Sequence, residues 1–302
     1  MSVEIKTMSA KANSSPESVA RPSRILVLFL TVLAGGFFVA PRALAQDRYA
    51  SSVTSYTSGT GVAAGYTDPS AALGEPSRVT PGTFGGPVDP FSAPYLGSQL
   101  VGLGTDGSLT VQFNTPIRND SSHAYGLDFQ VFGNSFFVVT NGFDANFNYI
   151  GTPATDGSVF GAGAADARIS VSADGVHFFT LNPALAPELK NLFPTDGSGD
   201  FSKPVNPAAG NAAFAGLTLD GIRAVYSGSG GGAGFDLAWA QDSGGHAVNL
   251  DQASYVRIDV TRGKLQIDGF SLVGPLTSVP EPSVWALGAL GLIPVLWSAR
   301  KR

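Results

Sequence analysis

Three oxygen-bearing side chains lie beside aromatic residues in strand-like runs. They are Asp128 in Gly126-Leu127-Asp128-Phe129, Asn134 in Phe132-Gly133-Asn134, and Asp236 in Gly234-Phe235-Asp236-Leu237. Carboxylate, amide and backbone carbonyl oxygens are the ligands Ca²⁺ takes, about six to eight at a time. The glycine-rich residues 227–234, just before Phe235, would let backbone carbonyls approach such an ion. Asp68 and Asp268 are further candidates. A second reading is open, in which Asp128 and Asp236 accept hydrogen bonds from backbone N–H groups at turns or bulges. The chain has neither a spaced Asp-x-Asp-x-Asp-Gly loop nor a Gly-Gly-x-Gly-x-Asp repeat, the stronger calcium signatures.

A second constellation suits carbohydrate. Residues 141–149 read Asn-Gly-Phe-Asp-Ala-Asn-Phe-Asn-Tyr, with Asn141, Phe143, Phe147 and Tyr149 as the candidate contacts. Sugars are held by aromatic faces and planar polar groups, and exposed aromatics in a loop would mark a binding site. The competing reading puts those rings in the core or over a sheet edge.

Catalytic chemistry finds less support. His123, His177 and His246 read as isolated, with no His-x-x-x-His or Glu-adjacent pairing. There is no Gly-x-Ser-x-Gly nucleophile elbow, and the 227–234 turn lacks the Lys-Ser/Thr ending of a phosphate loop. A secreted hydrolase with two paired carboxylates stays open as an alternative, because many Asp side chains could supply them. The chain is expected to be non-catalytic.

The elements that must position these residues are strands. Period-two or apolar runs occur at 108–113, 127–132, 136–139, 168–172, 177–181, 221–226, 255–260 and 265–270. Asp-Gly steps at Asp106, Asp156, Asp174, Asp196, Asp220 and Asp268 supply turn chemistry between them. The clearest hairpin spans 170–179 around Asp174-Gly175. The pattern predicts an all-β, antiparallel sandwich over 96–273. Residues 46–95, rich in Ser, Thr, Gly and Pro, are expected to pack on the sandwich or lead into it. A proline-rich insertion at 182–213 has its only plausible short helix at 187–192, and 274–279 is a linker.

Both ends read as processing segments. Arg21 and Arg24 precede the apolar run 25–34, and Ala43-Leu44-Ala45 before Gln46 forms a small-residue cleavage site. That order predicts a secretory signal peptide over 1–45, cut by signal peptidase, with Met8 as an alternative start and an uncleaved anchor as an alternative reading. At the other end, Pro280-Glu281-Pro282 precedes an apolar segment, 284–299, and the triplet Arg300-Lys301-Arg302. Sixteen residues of helix span roughly 24 Å, slightly short of a hydrocarbon core of about 30 Å. Trp285 and Trp297 suit the two membrane interfaces, and the basic triplet would stay cytoplasmic.

Setting aside five basic and two acidic residues before Gln46, and three basic residues after Pro282, leaves 10 basic against 21 acidic, a net charge near −11. Nucleic acid and anionic lipid are therefore poor partners for the exported part. Eighteen of its acids are Asp, a turn residue, rather than the helix-favouring Glu. The chain has no cysteine, so disulfides, thiolate zinc sites and a cysteine nucleophile are excluded.

The C-terminal residues 280–302 resemble the PEP-CTERM sorting signal of Gram-negative, exopolysaccharide-producing bacteria. The resemblance implies processing near Pro280-Glu281-Pro282 by exosortase, a membrane-embedded cysteine transpeptidase, after transient anchoring in the inner membrane. Residues 66–273 resemble a family of secreted bacterial cell-surface β-sandwich proteins. The likeness is carried by Tyr66-Thr67-Asp68-Pro69, by residues 98–113, by Gly126-Leu127-Asp128-Phe129-Gln130-Val131-Phe132-Gly133-Asn134, by Val171-Ser172-Ala173-Asp174-Gly175, by Gly234-Phe235-Asp236 and by Val256-Arg257-Ile258-Asp259-Val260. It implies a jelly-roll sandwich like that of galactose-binding or discoidin modules. Gly133 stands where that family often has Glu, so any ligand role there is lost or shifts to Asn134. The function expected is an exported cell-surface or exopolysaccharide-matrix protein, with carbohydrate recognition, with or without calcium, as the alternative.

Overall fold

The structure is a computed structural model and describes residues 47–146, 148–160, 165–189 and 192–275. The signal-peptide residues Ala43, Ala45 and Gln46, the sorting residues Pro280, Glu281, Pro282, Arg300, Lys301 and Arg302, and the expected membrane helix 284–299 lie outside the described residues, as does Phe147. Among the described residues no helix is long and apolar enough to cross a membrane.

The chain is mostly β. In order, the strands are β1 (Ala50–Thr57), β2 (Val79–Thr80), β3 (Gly86–Pro87), β4 (Val101–Leu103), β5 (Ser108–Arg118), β6 (Phe129–Gly133) and β7 (Phe136–Val139). They continue as β8 (Thr155–Phe160), β9 (Asp166–Ser172), β10 (Phe179–Leu181), β11 (Ala233–Phe235), β12 (Ala240–Gln241), β13 (Gln252–Arg262) and β14 (Leu265–Leu272). A large sheet has the order β1-β5-β13-β9-β10-β12, and a smaller one β11-β6-β14-β4. Two ribbons, β2-β3 and β7-β8, complete the set, and every ladder is antiparallel.

Alternation in sequence becomes rows of apolar side chains across each sheet. Leu109, Ile258 and Ile169 form one row of the large sheet, and Val111, Val256 and Val171 the next. In the small sheet, Ala233, Val131 and Phe270 form one row, and Phe235, Phe129 and Leu272 another. All twelve belong to a single buried cluster, so the two sheets share one core, consistent with a β-sandwich. Burying such rows is the main favourable term, at roughly 1.5–3 kcal/mol per fully buried large apolar side chain.

Strand β6 is buried at all five positions, not at alternate ones. Its outer face is covered by the loop around Phe201, whose ring meets Phe132 edge-on at 5.1 Å and whose carbonyl accepts from Gln130 Nε2 at 2.7 Å. A second, aromatic cluster of Phe91, Phe137, Val205, Phe214, Ile222 and Tyr226 lies beneath the one α-helix described, α1 (Leu219–Tyr226).

Helix α1 corrects the expectation of a strand at 221–226. Ile222 and Tyr226 are its buried residues, four apart, a spacing that suits one helical face as well as one strand face. Asp220 in the first turn and Arg223 in the last both favour the helix dipole. The Asp-Gly steps divide similarly. Asp106 (φ 62°) and Gly175 (φ 76°) make true turns, whereas Asp156, Asp220 and Asp268 lie within β8, α1 and β14. Residues 50–57 form a full edge strand of the large sheet, paired to β5 from Ala50–Phe113 to Thr57–Ser108. The short helix expected at 187–192 falls partly outside the described residues.

Candidate functional site

Strands β7 and β8 leave the sandwich as a hairpin whose tip is residues 140–154. Its base is anchored on both sides. Phe136 and Phe160 pair across the hairpin itself at 5.0 Å, and Phe137 packs on Phe214 at 4.8 Å in the aromatic cluster. Thr155 N donates to the Leu217 carbonyl at 3.1 Å, and Gly216 N returns a bond to the Thr155 carbonyl at 2.6 Å.

The tip is held by its own polar side chains. Asn141 Nδ2 donates to the carbonyls of Ile150 (2.6 Å) and Thr152 (2.8 Å), while its Oδ1 accepts from Ala154 N at 3.2 Å. Asp144 Oδ1 accepts from the backbone N–H groups of Asn146 (2.8 Å) and Asn148 (2.9 Å), and those bonds hold its carboxyl below the usual range. Both side-chain amide protons of Asn141 and one lone pair of its Oδ1 are used within the loop, so Asn141 shapes the tip and does not present it.

Phe143 and Tyr149 do the opposite. They face each other across a bridge in the tip, with ring centroids 4.8 Å apart and planes at 33°. They remain 51% and 38% exposed, and Ile150 beside them is exposed too. These rings therefore lie outside the core. A tilted aromatic pair on a braced hairpin can take the apolar face of a ligand with little ordering cost.

The oxygen ligands considered for calcium are placed elsewhere. Asp128 and Asn134 bracket opposite ends of β6, six residues apart and so roughly 20 Å at about 3.3 Å per residue. No single ion spans that distance. Asp128 is 1% exposed; its Oδ1 accepts from Asp120 N (3.0 Å) and lies 3.0 Å from His123 Nδ1, and its Oδ2 accepts from Leu237 N (2.9 Å). Burial pushes its carboxyl up to about 6 against those bonds, and the neighbouring Asp236 charge adds to the rise. Asp236 accepts from Ala238 N at 2.7 Å and caps a short 3-10 turn. Asn134 donates to the Gln266 side chain. Asp128 and Asp236 thus make the backbone bonds of the second reading, and Asp68 likewise caps a turn at Ser70 N, 2.9 Å away.

Asp268 is buried on Ser77, accepting from its N (2.8 Å) and Oγ (2.7 Å), and burial pushes it up to about 7. In the glycine-rich turn the carbonyls of Gly228 and Gly230 accept from Asp200 N and Asp196 N, each at 2.9 Å. Gly133 has no room for the Glu of the resembling family, since a Cβ there would lie 2.8 Å from the Gln266 carbonyl. Among the described residues no three His, Asp or Glu side chains gather as a metal-holding group.

The histidines are not isolated. His123 pairs with Asp128, His177 with Asp174 at 2.7 Å, and His246 with Asp242 at 3.2 Å. The last two pairs are exposed; the first is buried at a cleft wall, and only the short His-to-Asp spacing in sequence could have signalled it. Compared with known proteins, the chain matches no protein-family profile and no curated protein.

Proposed function

We propose that this chain is an exported, non-catalytic protein of the cell surface or exopolysaccharide matrix, holding polysaccharide on the tip of the β7–β8 hairpin. One observation carries the binding part: Phe143 and Tyr149 form a tilted ring pair, exposed on a loop that spends its Asn and Asp groups bracing itself. The two antiparallel sheets with a common core support a jelly-roll-like sandwich as the scaffold. Export and sorting rest on the sequence of the two ends. Signal peptidase would cut before Gln46, and exosortase near Pro280-Glu281-Pro282 after transient anchoring by residues 284–299.

Binding is tested with the full-length chain and the host's own exopolysaccharide, in calcium and again in chelator, so that any calcium requirement is read in the same experiment. The double variant Phe143→Ala, Tyr149→Ala should lose about tenfold or more in affinity, since truncating a contact aromatic commonly costs more than about 1 kcal/mol. Its melting temperature should not move. Undiminished binding by that variant would remove the hairpin from the function. Sorting is tested separately: alanines at Pro280, Glu281 and Pro282 should leave export intact and cause unprocessed protein to accumulate in the inner membrane. Normal release would sink the exosortase assignment.

A further inference from the structure

A cleft of about 620 Å³ with no lining residue from the β7–β8 hairpin is lined by Arg48, Arg118 and Lys203, by Asp120, Asp128 and Asp200, and by Ser122, Ser202 and His123. Its size falls within the range of small-molecule sites, about 300–1,000 Å³. The end of β14 forms one wall and is sewn in place. Leu272 N donates to the Arg48 carbonyl (2.8 Å), Val273 N to the Asp128 carbonyl (2.9 Å) and Gly274 N to the Ser202 carbonyl (3.0 Å). Gly274 has φ 80°, and a Cβ there would lie 2.9 Å from His123 Cδ2, so glycine lets the chain pass against the imidazole.

The charges in this cleft are unevenly used. Each acid is turned to the backbone. Asp120 Oδ1 accepts from Ser122 N (2.9 Å), Asp200 Oδ1 from Ser202 N (2.8 Å) and Oγ (2.7 Å), and Asp128 is engaged as described above. Among the described residues the Arg48 and Arg118 side chains have no hydrogen-bond partner, and Lys203 Nζ donates to the Ser227 carbonyl but meets no carboxylate. Elsewhere Arg78, Arg223, Arg257 and Arg262 each hold a carboxylate at 2.7–2.8 Å. Arg48, Arg118 and Lys203 make no ion pair among the described residues, in a domain with twice as many acids as bases.

Arg48 goes further. Its Nη1 is buried with no hydrogen-bond partner, a costly state for a donor on a charged group. The residue after the lining Ala124 is Tyr125, an exposed aromatic with φ 61°. Backbone strain in a bulky side chain gathers at binding sites.

We infer that this cleft binds an acidic sugar residue, its carboxylate on Arg48, Arg118 and Lys203 and its hydroxyls on the serines and the outer carboxylates. A guanidinium fork matches a carboxylate. Asp120 and Asp200 repel a bare polyanion yet accept from hydroxyl donors, so a ligand carrying both groups fits better than a simple anion. The class of ligand rests on the carbohydrate reading above, but the site is a different one.

Calorimetric titration of the full-length chain in detergent separates the two. The probes are a glucuronic acid oligosaccharide, the neutral glucose oligosaccharide of equal length, and inorganic phosphate. Wild type should prefer the uronate. Arg118→Gln with Lys203→Gln should weaken uronate binding about tenfold, leave glucose-oligomer binding alone and abolish the preference. The Arg118 side chain makes no hydrogen bond or ion pair among the described residues, so Arg118→Gln alone should keep the wild-type melting temperature and still lose part of the preference. Phe143→Ala with Tyr149→Ala should weaken both sugars and keep the preference. Unchanged uronate affinity in the cleft variants, no uronate binding by wild type, or phosphate competing as well as the uronate would each overturn the cleft assignment and leave the hairpin reading standing. Loss of all sugar binding in the hairpin variants alone would likewise assign everything to the hairpin.

Discussion

The hairpin tip and the His123 cleft are built on one plan with opposite surfaces. In the tip, Asn141 and Asp144 spend themselves on backbone groups, and the rings of Phe143 and Tyr149 are left facing out. In the cleft, Asp120, Asp128 and Asp200 do the bracing, and the cations of Arg48, Arg118 and Lys203 hold no carboxylate among the described residues. In both places short polar side chains do local work, because Asx groups reach their own backbone two or more residues on. The groups available to a ligand are the exposed rings and the cations with no carboxylate to hold them. That is why the acids noted first in the sequence turn out to be scaffold, while those rings and cations carry the proposals.

The comparison breaks most visibly at Asp128. Asp128→Ala leaves the buried N–H of Leu237 and the part-buried N–H of Asp120 without their acceptor and frees His123, at about 1–3 kcal/mol for each unsatisfied group. A loss of about 3 kcal/mol in total should lower the melting temperature by roughly 10 °C. The same residue sets part of the pH dependence. Folding raises the carboxyl of Asp128 from 3.8 to about 6 and that of Asp268 from 3.8 to about 7, both by burial. From pH about 4 to 7 the folded state therefore holds protons that the unfolded chain has released, and stability falls as pH rises through that window. Wild type should melt higher at pH 5 than at pH 7.5, and Asp128→Ala should keep only the part of that slope due to Asp268. An unchanged melting temperature in Asp128→Ala would show that its carboxylate is not the brace described here.

What the sequence showed of this molecule follows from which physical signals are unambiguous. Rows such as Leu109–Ile258–Ile169 rest on strict alternation in β5, β13 and β9, and that pattern is visible without a structure. Helix α1 was misread because Ile222, Ala224 and Tyr226 satisfy period two, while Ile222 and Tyr226 alone satisfy the helical face. Strand β1 was passed over because an edge strand covered on one side can be built mostly from Ser and Thr around Val53 and Tyr56. The aromatic tip was legible as a candidate by composition. Whether its rings faced solvent depended on the β7–β8 register and on Asn141, which only the fold supplies. The cleft was not legible at all, since Arg48, Arg118 and Lys203 are far apart in sequence and meet only where β14 ends beside residue 48.

The smallest effect sharpens the comparison most. Asn141→Ala removes three hydrogen bonds from an exposed loop, where each net bond is worth about 1 kcal/mol at most because water replaces it. Anchorage of the hairpin base on Phe214 and Leu217 is untouched, so global stability should fall by no more than about 1 kcal/mol. Polysaccharide affinity should nevertheless drop severalfold, because the two rings then have to be ordered by the ligand. Phe143→Ala should show the converse, with affinity lost and the amides of Ile150 and Ala154 still protected in hydrogen exchange. If Asn141→Ala loosens those amides and leaves affinity at the wild-type level, the brace is irrelevant to binding. The hairpin would then be an exposed apolar loop with no prepared surface, and the likeness drawn between tip and cleft would end there.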